Sequence, residues 1–157
     1  MPILKFGTNT NYTIFKEKLS TACVEKYGHL GKLIELDEYW EPAAIVPSNY
    51  TNTDAAIQQV LTLELAEDVK ERKRILAKMN NDKPNMYGYI FSKLSTESEQ
   101  EVRRHTDYDI FSVEKYPKGL WNAITEKHLI ISNTTSKPLL KLAAFRQYAS
   151  VRQEPYE

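Results

Sequence analysis

Apolar residues recur along this chain at helical spacing, in blocks separated by turn-forming residues. Tyr12, Phe15, Leu19, Ala22 and Cys23 share one face of a helix that starts near Thr10 or Asn11, both acceptable caps, and stops at Gly28. A short helical turn, HLGKLIEL, follows. Residues 35–53 carry Pro42 and Pro47 among several turn formers and read as a loop of about twenty residues, longer than the common range. Within it Trp40 and Ile45 suggest that the loop packs down. Thr53 or Asp54 then caps the longest helix, from Ala55 to Lys78, with Ile57, Val60, Leu61, Leu65, Val69, Leu76 and Met79 as a broad apolar stripe. The NNDKPN segment predicts a break, with Pro84 in the first turn of a new helix built on Met86, Ile90, Phe91 and Leu94.

Thr96-x-x-Glu99 has the form of a capping box and predicts a helix over about Glu97 to His105. Pro117 and Gly119 lead into another helix on Leu120, Trp121 and Ile124. Asn133 to Lys137 breaks it, and Ser136 with Pro138 opens a final helix whose buried face is Leu139, Leu142, Ala143 and Phe145. No strand pair, sustained heptad or fixed-period repeat stands out, so the expected class is all-α. The core is expected to include Phe15, Leu19, Ile90, Leu94, Leu120, Trp121 and Ile124. The chain stops at Pro155-Tyr156-Glu157 directly after an apolar helix, which leaves Leu139 and Phe145 short of partners; the expectation is a fragment, or packing completed by a neighbouring subunit.

Composition narrows the function classes. The 157 residues suit one ordinary domain or two small helical ones. Lys plus Arg and Asp plus Glu number 21 each, so the net charge is zero and no chain-wide pull on nucleic acid or anionic lipid is expected. Ten tyrosines favour half-buried surfaces such as subunit contacts. A single cysteine, Cys23, excludes an intramolecular disulfide and a zinc knuckle within these residues. The N-terminus lacks the form of a secretory signal, and no stretch approaches the roughly 18 apolar residues of a membrane span. An intracellular, cytoplasmic protein without membrane contact is expected.

Few residues invite chemistry. Cys23 and His29 could pair as thiol and base, but a cysteine on an apolar helix face is ordinarily a small hydrophobe. His105, Asp107 and Asp109 form an H-x-D-x-D string that matches no common zinc or calcium spacing, so solvated loop acidity is favoured and no metal is expected. Lys70, Arg72, Lys73 and Arg74 form a basic patch that could touch phosphate, although Glu67, Asp68 and Glu71 interleave with it as on a solvated helix face. No glycine-rich phosphate loop, catalytic constellation or cofactor motif is present, so neither enzymatic activity nor a small-molecule substrate is expected.

Four stretches, in order, resemble the Gag polyprotein of copia-type LTR retrotransposons. LKFGTNTNYTIF resembles the family's L-x-G-x-N-Y-x-x-W lead-in to the first helix, with Phe15 where Trp is usual. KERKRILAK to MYGYIFSKLS looks like a helix pair with an A-x-x-x-I-x-x-x-[LC] pattern. GLWNAITEKH resembles the family's W-x-x-[LI] helix, and LLKLAAFRQYASVRQEPYE its following leucine-rich run. Together they cover nearly the whole chain. The resemblance implies a capsid region of two helical domains, the first over residues 1–113 and the second over residues 114–157, cut off early. It implies a structural protein that self-assembles into virus-like particles enclosing RNA, with RNA contact resting on segments outside these residues or weakly on the basic patch. Tyr39, Trp40, Tyr50 and Tyr148 are candidate subunit contacts. The rival reading is a monomeric helical adaptor, derived from Gag, that docks a peptide in a groove.

Overall fold

The computed structural model describes residues 1–7 and 10–129. The final helix expected after Ser136, and with it Tyr148, lies outside the described residues. The class is all-α: α1 (Tyr12–Tyr27), α2 (Leu33–Leu36), α3 (Ala55–Ser92), α4 (Thr96–Arg103) and α5 (Tyr108–Glu114) follow in order, and residues 117–129 are helical as α6. Short 3-10 turns occupy Gly28–Lys32 and Pro47–Tyr50. The β-type pairing among the described residues is one parallel bridge, Leu4 to Leu94.

α1 ends where the sequence indicates. Gly28 adopts φ +59, a left-handed turn that glycine enters at least steric cost. The chain then folds back so tightly that a Cβ on Gly31 would lie 2.3 Å from the Cys23 carbonyl, so glycine is required there. The start of α1 differs in detail. Asn11 is the N-cap by position, but its side chain makes no cap bond. Instead its Oδ1 accepts from the Lys5 N–H and its Nδ2 donates to the Ile3 carbonyl, both at 2.9 Å, which ties the N-terminal segment to the helix.

α3 corrects the expected break at NNDKPN. The chain runs as one 38-residue helix straight through Pro84, so the anticipated helix pair is a single rod. An internal proline removes one backbone donor and crowds the carbonyl four residues earlier. Pro84 and Asn80 are both exposed, so water can serve the freed carbonyl. Met79 before the proline and Met86, Tyr87 and Ile90 after it are all buried, and their burial, each about 1.5–3 kcal/mol, outweighs the local break signal. Asp54 caps the helix as expected, accepting from the N–H groups of Ala56 and Ile57.

The cap of α4 sits one residue before the expected capping box. Ser95 Oγ accepts from the Ser98 N–H at 3.2 Å, while Thr96 is already helical. Ser95 wins because its own N–H donates to the Leu4 carbonyl, which fixes it in extended geometry.

One apolar core joins these elements. Leu4, Phe15, Leu19, Leu30, Leu33, Ile34, Met86, Ile90, Leu120, Trp121 and Ile124 are fully buried in it, and Leu94 nearly so. Residues 117–129 thus share their core with α1 and the C-terminal half of α3. The N-terminal half of α3 has a different character. Residues 55–74 include no buried residue, and the segment 42–50 lies along one side of them as a strap.

Candidate functional site

The sequence-level candidates for chemistry are held apart by the fold. Cys23 is fully buried, and burial pushes its thiol up to about 12, so it stays protonated and unreactive near neutrality. His29 is exposed and stacks on the Trp40 ring at 3.8 Å between centroids. His105 is engaged on both nitrogens: Nδ1 accepts from the Asp107 N–H, and Nε2 lies 2.7 Å from a Glu126 carboxylate oxygen. That arrangement ties the α4–α5 turn to α6. Among the described residues, no group of three or more His, Cys, Asp or Glu side chains is placed to hold a metal ion.

A buried serine–histidine contact has no counterpart in the sequence reading. Ser98 Oγ lies 2.9 Å from His128 Nε2 and 3.0 Å from the Leu4 carbonyl, and both side chains are fully buried. His128 Nδ1 is 2.8 Å from the Ile124 carbonyl, which can only accept, so the proton sits on Nδ1. The single Ser98 proton then faces two acceptors, Leu4 O and Nε2. Burial lowers the His128 pKa, while the Ile124 hydrogen bond and the Glu101 charge act the other way. No solvent reaches the pair, so its role here is to fasten the N-terminal segment, α4 and α6 together. The available signal was His128 four residues after Ile124 and seven after Trp121, on one helix face.

The aromatic contact candidates mostly serve the chain itself. The Tyr39 hydroxyl accepts from the Lys118 N–H, and Lys83 lies 4.3 Å over its ring. Tyr50 donates to Asp68 at 2.6 Å and its carbonyl accepts from Gln58, which binds the strap to α3. Trp40 is half-buried between His29 and Lys32. Tyr39, Lys83, Phe111, Tyr116 and Lys118 line an open cleft of about 600 Å3 between α3, α5 and α6.

The four basic residues do not converge. Lys70, Lys73 and Arg74 are exposed on α3, and Arg74 makes two hydrogen bonds to the Glu71 carboxylate. Arg72 turns inward beneath Ala44 and Ile45 of the strap, beside Val69. What the N-terminal half of α3 does present is apolar. Ile57, Val60 and Leu63 are 48%, 55% and 69% exposed. Ile110 and Val113 of α5 are exposed as well, at 63% and 77%. Among the described residues no helix is long and apolar enough to cross a membrane. Comparison with protein-family models, with curated proteins and with solved structures returns no match.

Proposed function

We propose that this chain is a capsid-like, shell-forming protein of the Gag type carried by copia-type LTR retrotransposons, or a domesticated derivative, and that it acts by self-association without catalysis. The observation that carries the reading is the exposure of large apolar side chains on separate elements: Ile57, Val60 and Leu63 on α3, Ile110 and Val113 on α5, Leu36 at the end of α2 and Val46 within the strap. A shell needs several weak contact surfaces on a rigid helical body, because many such contacts give avidity and still permit disassembly. A net charge of zero supports the same reading, since crowded subunits repel little. The order of the four resembling stretches adds to it. The partner is then another copy of the chain. RNA would be enclosed through segments outside these residues, and the particles would form in the cytoplasm.

The cleft at Tyr39, Lys83 and Phe111 favours a second reading, a monomeric adaptor that docks a peptide. Electron microscopy of the concentrated protein separates the two. Rings, tubes or closed particles are the expected result; dispersed single molecules at every concentration would favour the adaptor.

A further inference from the structure

We infer that two copies of the chain pair antiparallel along the N-terminal half of α3, with Glu67 of each copy set against the partner's Lys70. The inference rests on the proposed self-association and names the contact that would carry part of it.

Two stripes run along this half of the helix. Leu61, Leu65, Val69 and Leu76 are half-buried, and Ala44 and Ile45 of the strap pack beside Val69. The strap is anchored by Tyr50 to Asp68 and by Asn52 to Gln58, so that side is already occupied. The second stripe is Ala56, Val60, Leu63, Glu67, Lys70, Arg74 and Ala77. Its members are separated alternately by four and three residues, the spacing of a two-helix seam. All are exposed.

The order of chemistry along the stripe selects the occupant. It reads apolar at the N-terminal end, acidic at Glu67, then basic at Lys70 and Arg74. A parallel copy would set Glu67 on Glu67 and Lys70 on Lys70. Reversing one copy about an axis between those two residues sets Glu67 against the partner's Lys70 twice. The same register places Leu63 beneath the partner's Arg74, whose aliphatic stem can cover it, and Val60 on the partner's Ala77. The surface is therefore complementary to its own reversed copy, as a two-fold contact requires. A rigid helix of 38 residues, anchored in the core by its C-terminal half, presents this surface without ordering a loop.

The test is sedimentation of the full chain and of charge-reversed variants whose helicity is checked by circular dichroism. The wild type is expected to rise with concentration towards at least twice the 18.2 kDa of one chain. Glu67→Lys and Lys70→Glu, each alone, place like charges at the axis and should weaken association by about tenfold or more. The double variant E67K/K70E exchanges the charges and should restore it. Failure of the double variant to recover overturns the antiparallel register. Single variants that associate like the wild type overturn the arm contact but leave self-association standing. A wild type that stays at 18.2 kDa throughout overturns both.

Discussion

Trp121 is fully buried, and its indole N–H finds a partner in Asp37, whose Oδ1 accepts at 2.9 Å from 84 residues away. Asp37 holds φ +58, a left-handed conformation that Asp, Asn and Gly tolerate. Asp37→Ala should therefore cost about 1–3 kcal/mol in denaturant unfolding by orphaning that donor, whereas Asp37→Asn should stay near wild type. Equal losses in the two variants would mean that the charge rather than the acceptor matters. His128 gives a pH-dependent prediction. Burial lowers its pKa below the ordinary 6.5, so below that value the unfolded chain binds more protons than the folded one. The stability that neutral His128 contributes is complete above 6.5 and is lost as pH falls through the lowered value. The stability gap between wild type and His128→Gln should shrink on acidification; parallel pH profiles would contradict the assignment. At this scale the apolar members of the core were legible from spacing, Phe15, Leu19, Ile90 and Trp121 among them. The polar partners were not. Asp37 with Trp121 and Ser98 with His128 are joined only by the tertiary fold, and no local pattern encodes them.

Among the elements, α3 shows where local signals yield. Asp54 and the apolar spacing from Ile57 onward marked its start, and NNDKPN marked an end that tertiary packing overrides. Pro84 is tolerated on an exposed face because Met79 and Met86 are buried on either side of it. Pro84→Ala should restore one backbone hydrogen bond and relieve the crowding. After allowance for the more flexible unfolded chain, the expected gain is about 2 kcal/mol in unfolding free energy. A loss of stability would show that the helix depends on the proline. The α4 cap teaches a related lesson. Ser95 and Thr96 are both good caps by type, and the bridge from Leu4 to Leu94 decides between them. The tight return after α1 is equally a matter of packing. Gly31→Ala should destabilise by about 1–3 kcal/mol, since the added Cβ meets backbone that cannot move aside. Unchanged thermal unfolding would place the two segments further apart.

For the molecule as a whole, the all-α class followed from the sequence because each helix carries its own apolar stripe. Where those stripes meet solvent did not follow. The stripe from Ile57 to Met79 looks continuous in sequence, yet it divides between a strap-covered side, an exposed side and a buried end. That division turns a plain amphipathic helix into an arm with a free face, and it underlies the proposal that the chain works by meeting copies of itself. Val60→Asp, on that face and away from the core, should leave folding intact while reducing association. The most direct measurement is sedimentation mass across a wide concentration series at low and high salt. The mass should grow beyond 18.2 kDa with concentration, and salt should reduce that growth to the extent that charge contributes. A mass fixed at 18.2 kDa across the series would contradict it.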